Sequence, residues 1–278
     1  MGIDEKFDKL HALENKVVTQ NLPYQELSTR LQDSYSTLAF TEAIHGDLSA
    51  INNADLKLLF RGASLTAFYS SDPAVTADMG IAFQELARRG LMDERGYSNM
   101  YQALVTARLL KEAQDFYHAN KTRGLSPLPN GLQEAAFIAG DVTEMLVRDN
   151  TLKRQSVDIK SGTHVLIVAH PSCHFSRRAV QAITTDESIR RALEGHVRWL
   201  APQDASFDLA IIQKWNQDFP SMPMSIVYKR QEWPIIDHWD LPTFYVIKDS
   251  VLVGKVTGWG GGESKAELIA AMKKVDLL

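Results

Sequence analysis

The chain has 278 residues, 45% of them hydrophobic, with 30 Lys or Arg against 34 Asp or Glu and one cysteine. A formal charge of −4 lacks the concentrated basic excess that grips phosphates, so nucleic acid is not an expected partner. One cysteine excludes an internal disulfide and leaves the core to hold the fold, while the length suits two domains of about 100 to 200 residues.

No apolar run approaches the roughly 18 residues that cross a bilayer, so no transmembrane segment is expected. Met1 to Gln20 is charged throughout and lacks the apolar centre of a signal peptide. The chain therefore reads as cytoplasmic as it stands, and as periplasmic or secreted if an export signal was removed ahead of it; the compartment stays open. From Asp4 to Arg148 the apolar residues recur at helical spacing, which predicts an all-α domain over residues 1–150. The first helix runs from Asp4 to Thr19, with Phe7, Leu10, Leu13 and Val17 on one face. A second runs from Tyr24, after Pro23, to Ile44. A third covers Asp55 to Tyr69 behind Asn53 as its cap, and a fourth opens at Ser71-Asp72-Pro73 and ends at Gly90. A fifth spans Ser98 to Ala119. Leu125-Ser126-Pro127-Leu128-Pro129-Asn130-Gly131 then breaks the chain before a sixth helix, Leu132 to Arg148. Tyr101-x2-Leu104-x2-Ala107-Arg108 with Glu112-Ala113-x2-Phe116 resembles a tetratricopeptide repeat, without its tryptophan or a second copy. An irregular helical bundle and a repeat array both fit, and either suits a surface that binds a protein partner.

After Asp149-Asn150 the pattern changes, with Thr151 to Gly162, rich in Lys, Ser and Asp, as a linker 151–162. The continuous apolar run Val165 to Ala169 predicts a strand covered on both faces. His170-Pro171-Ser172-Cys173-His174-Phe175-Ser176 follows, and then a helix from Cys173 to Thr184. The cysteine thus sits at a strand-to-helix turn, among polar neighbours, facing the unpaired N–H groups of a helix start, a setting that suits a reactive sulfur. Strands are expected at His196–Leu200, Met224–Tyr228 and Thr243–Ile247, with a helix at Phe207–Phe219. Lys248-Asp249-Ser250 turns the chain into a last strand, Val251–Thr257, and Ser264–Val275 closes it as a helix.

This order, the cysteine at the first strand-to-helix turn and Leu241-Pro242-Thr243 before the terminal hairpin together resemble the thioredoxin superfamily over about residues 163–278. The resemblance implies an α/β thioredoxin-like C-terminal domain behind the all-α one. It also implies a Cys-x-x-Cys position at Cys173 and Ser176, faced by a cis-proline at Pro242, with Leu241 lining the site. Gly258 after the last strand fits the same pattern. The second cysteine of that motif is a serine here, so Cys173 could attack a disulfide while release would need an external thiol, from glutathione or a protein. The motif is similar to the Cys-Gly-Phe-Ser of monothiol glutaredoxins, with His174 in place of their glycine.

Expected roles follow from that resemblance: Cys173 as nucleophile, Ser176 as a hydroxyl beside it, His174 as a donor or nearby charge, and Pro242 as the facing proline. Leu241, Trp239, Trp259 and Arg177 are the expected substrate-binding residues. No resident cofactor is implied; glutathione would be a co-substrate. Two further readings remain. His170, Cys173 and His174, with His238 from the facing loop, offer imidazole and thiolate to copper or zinc. Alternatively the fold is a non-catalytic adaptor whose helical domain holds a protein partner.

Overall fold

Helical spacing in the first half becomes seven α-helices: α1 (Ile3–Thr19), α2 (Tyr24–Thr37), α3 (Phe40–His45), α4 (Asn53–Ser70), α5 (Pro73–Arg88), α6 (Glu94–Thr106) and α7 (Leu110–Ala119). The computed structural model describes residues 1–129, 131–134, 137–138, 140–148, 151–204 and 207–278. The chain divides into two compact units, Met1–Leu128 with Asp204–Ser206, and Pro129–Gln203 with Phe207–Leu278.

In the first unit, two helices expected to be continuous are each broken by a left-handed residue. Ala39, at φ 55°, separates α2 from α3, and Arg108, at φ 59°, separates α6 from α7. The break at Ala39 swings Phe40 into the core, fully buried, where its ring stacks on Tyr35 at 5.0 Å. Nearby, the buried carboxylate of Asp78 on α5 accepts hydrogen bonds from Tyr35 (3.1 Å) on α2 and from Thr41 (2.7 Å) on α3. His45 Nε2 lies 2.8 Å from the same carboxylate. One polar hub thus fixes the short α3, too short to hold itself. The α4 cap is Asn52 rather than Asn53: its Oδ1 accepts the Asp55 N–H at 2.9 Å. The α5 start follows expectation, with Asp72 accepting from Ala74 and Val75 and Pro73 in the first turn.

In the second unit the strands are β1 (Leu132–Glu134), β2 (Val142–Arg148), β3 (Thr151–Val157), β4 (Thr163–Val168), β5 (Val197–Ala201), β6 (Met224–Val227), β7 (Thr243–Lys248) and β8 (Val251–Thr257). They form one eight-stranded mixed sheet in the order β1-β3-β2-β6-β5-β4-β7-β8. Strands β4, β5 and β6 are parallel; β7 runs antiparallel to β4, β8 to β7, and β2 to β6. Strand count and order overturn the expected thioredoxin-like fold, which is a smaller sheet. The cause lies in residues 132–157. The expected sixth helix, Leu132 to Arg148, holds β1 and β2 instead, and the expected linker 151–162 holds β3, so three more strands join the sheet beside β6. The helical half accordingly ends near Leu128 and not at residue 150. Asp149 and Asn150, where the change of pattern was expected, lie outside the described residues.

The helices of this unit are α8 (His174–Thr185), α9 (Glu187–Leu193), α10 (Leu209–Asp218) and α11 (Gly262–Lys273). Alternation along β4 and β7 sorts the core into two faces. Val165, Ile167, Phe244 and Val246 pack with residues of all four helices. Leu166, Val168, Tyr245 and Ile247 pack instead against Trp233 and Ile236, from the irregular segment between β6 and β7. That segment, which also carries Leu241 and Pro242, covers the second face in place of a helix.

Candidate functional site

The register between β4 and β7 builds the site. Val168, the last residue of β4, pairs with Thr243, the first of β7. The chain leaving β4 toward Cys173 therefore emerges beside the chain entering β7 through Leu241 and Pro242. The Leu241–Pro242 bond is cis, and Cys173 Sγ lies 3.6 Å from the Leu241 carbonyl oxygen, positioned to donate to it. The two features expected to face each other do so.

The turn before the thiol is closed by local bonds. The Cys173 N–H donates to His170 O at 2.9 Å, and the Ser172 N–H to His170 Nδ1 at 3.2 Å. Cys173 is the N-cap residue of α8, extended at φ −80° and ψ 119°, and its carbonyl accepts the first helical bond, from Arg177 N–H at 3.1 Å. Its side chain caps no backbone group, so the sulfur is left to face Leu241. Cys173 is half-buried. Ser176, fully buried three residues on, accepts the His170 N–H at 3.3 Å and so ties the helix back to the turn.

Around the sulfur the surface is mixed. His174, Phe175, Arg177 and Arg178 are exposed, and the Phe175 ring, 49% accessible, meets His174 edge-on at 5.8 Å. On the facing side Pro242 is buried and its carbonyl accepts the Gly258 N–H at 2.8 Å. Gly258 has φ 78°, a conformation that favours glycine, and this lets β8 end against the proline.

The structure brings together Cys173, Ser176, Leu241 and Pro242, and places His174 and Arg177 on the exposed start of α8. It removes Trp259 from the expected substrate-binding set: that ring is 3% accessible and packs in the helical-face core, 5.3 Å from Phe244. Trp239 is half-buried beside the second core, its indole N–H without a protein partner among the described residues. The metal reading gains no support. Among the described residues no group of three His, Cys, Asp or Glu is placed to hold an ion, and the His238 Nε2 faces Asp237 at 3.9 Å.

Sequence reasoning missed the polar network behind the proline loop. Tyr245 on β7 is fully buried, and its hydroxyl lies 2.8 Å from Asp237 Oδ1 and 2.7 Å from His238 O, while accepting the His238 N–H at 3.1 Å. Lys255 on β8 donates to both Asp237 oxygens, at 2.7 and 2.9 Å. Burial, then the neighbouring Asp237 carboxylate, push the Tyr245 hydroxyl far above its ordinary range and keep it a phenol. A tyrosine inside an apolar strand is the one available signal, because a buried hydroxyl demands a partner. Comparison with family models, curated proteins and solved structures yields no match to this chain.

Proposed function

We propose that the protein carries out thiol–disulfide exchange through Cys173, with the second thiol supplied from outside. The observation that carries this reading is the half-buried Cys173 sulfur at the head of α8, 3.6 Å from the carbonyl that precedes a cis-proline. In the first step the Cys173 thiolate attacks one sulfur of a disulfide R–S–S–R′, forming Cys173–S–S–R and releasing R′–S⁻. In the second, a glutathione or protein thiolate attacks the R sulfur and returns Cys173 as thiolate, so the disulfide moves and the protein is neither oxidised nor reduced overall. Ser176 cannot take the resolving role, because its hydroxyl is no nucleophile toward a disulfide at ordinary pH and already accepts the His170 N–H. The resemblance to the thioredoxin superfamily enters this proposal only through the placing of the thiol beside the loop before β7, not through the fold.

The test is intact mass after incubation of the folded protein with oxidised glutathione. The expected product carries one glutathionyl group on Cys173, is cleared by reduced glutathione, and does not form in Cys173→Ser. A folded protein that takes up neither glutathione nor iodoacetamide, while its unfolded chain takes up both, would sink the reading. An adaptor role would then remain, and capture of a partner by the Cys173→Ser protein would be its signature.

A further inference from the structure

The segment from Trp233 to Leu241 has no helix or strand to set its course, so side chains must set it. At its start the Trp233 indole, fully buried, donates to Thr143 O on β2 at 3.1 Å, and the Trp233 carbonyl accepts the Ile236 N–H at 2.9 Å. At its end the fixing comes from β7. Thr243 Oγ1 donates to Asp240 O at 2.8 Å, and the Tyr245 hydroxyl holds both the N–H and the carbonyl of His238. Asp237 meets the same hydroxyl and is itself held by Lys255 from β8. Residues 237, 238 and 240 are thus each tied to the sheet, and Leu241 follows directly.

We infer that Tyr245 is a positioning residue of the exchange site: through His238 it fixes the loop that presents the Leu241 carbonyl to Cys173, with Lys255 and Asp237 fixing the hydroxyl in turn. This rests on the exchange reading above. Tyr245 is fully buried and its hydroxyl bonds to the loop, at His238 and Asp237. Its hydroxyl has one proton for two acceptors, the His238 carbonyl and the Asp237 carboxylate, and the ion pair with Lys255 relieves the second. Removing the hydroxyl takes the side-chain donor from the carbonyl of half-buried His238 and leaves its N–H on Asp237 Oδ1 alone, at 2.9 Å, so the loop is held less firmly. Misplacement of a reacting geometry by about 1 Å can cost up to about a hundredfold in rate.

The reactants are chosen to separate position from exposure. Iodoacetamide asks only that the thiolate be reachable, whereas oxidised glutathione must place a disulfide in line with the sulfur beside the loop. In Tyr245→Phe, glutathione uptake at Cys173 is expected to fall about tenfold while alkylation stays within about twofold of wild type. Lys255→Met, at an exposed position, tests the network without opening the core. It is expected to show the same split, smaller, and Lys255→Arg to restore glutathione uptake. If wild type exchanges and both Tyr245→Phe and Lys255→Met match it with both reagents, or slow equally with both, the positioning role is overturned. If wild type itself takes up no glutathione, the exchange reading falls first and this inference with it.

Discussion

Ser176 occupies the place where a self-resolving enzyme would carry its second thiol, and it is fully buried. Residues 173 and 176 are the cap and third position of α8, three apart at a helix start, a spacing within the Cα range that a disulfide requires. Ser176→Cys is therefore expected to convert the site. A glutathione adduct formed on Cys173 should be lost by internal attack, leaving a 173–176 disulfide that intact mass shows as two hydrogens missing and iodoacetamide cannot label. A stable adduct beside a free second thiol would mean the two sulfurs cannot meet. Asp237 supports the same loop by charge. Burial pushes its carboxyl up, but the Lys255 and Tyr245 hydrogen bonds outweigh this and hold it below its ordinary range. Its contribution to stability is therefore full above the ordinary range of an unfolded aspartate and is lost as pH falls through the lowered folded value. With the carboxylate 41% accessible the effect is small, and the gap in melting temperature between wild type and Asp237→Asn should persist at neutral pH and close in acid.

Elements differ in how clearly they announce themselves. Strand β4 reads directly from Val165 to Val168 because both faces of it are covered, and α8 reads from the polar turn that precedes it. Strand β2 does not, because Glu144 stands in its middle and hides the alternation. That glutamate is 2% accessible, accepting from Ser225 Oγ at 2.6 Å, Gln155 Nε2 at 3.0 Å and Arg198 Nη1 at 2.9 Å. Its partners stand on β6, β3 and β5, up to 81 residues away, so no local pattern could reveal that a charge belongs inside. Glu144→Ala strands three donors at once and is expected to cost about 2 kcal/mol or more, read from the urea midpoint. The break between α2 and α3 is hidden for a similar reason. It serves Phe40, whose ring lies against Gly62 of α4 where any Cβ would overlap it. Gly62→Ala should therefore cost about 1–3 kcal/mol through overpacking, although alanine is the better helix former. A stabilised Gly62→Ala protein would show that propensity wins there.

At the scale of the whole molecule, the boundary between helical and sheet-bearing units lies near Leu128, about twenty residues before the change in hydrophobic period suggests. The reason is physical: β1 and β2 borrow helix-like spacing, whereas Pro127 and Pro129 mark the true break. Every residue of the proposed exchange site lies in the second unit, which carries its own core on both faces of one sheet. The segment before the boundary is open to solvent, with Lys121, Thr122, Arg123 and Gly124 all exposed. Brief trypsin treatment should accordingly cut first after Lys121 or Arg123, ahead of the basic residues in the flanking helices and strands. The nicked, unseparated chain should then take up glutathione on Cys173 at the rate of the intact protein, since the cut touches no residue that holds the sulfur, the cis-proline or Tyr245. Loss of that reaction on nicking would mean that the helical unit takes part in the chemistry, and an early cut within residues 163–278 would mean that the sheet does not protect its own loop.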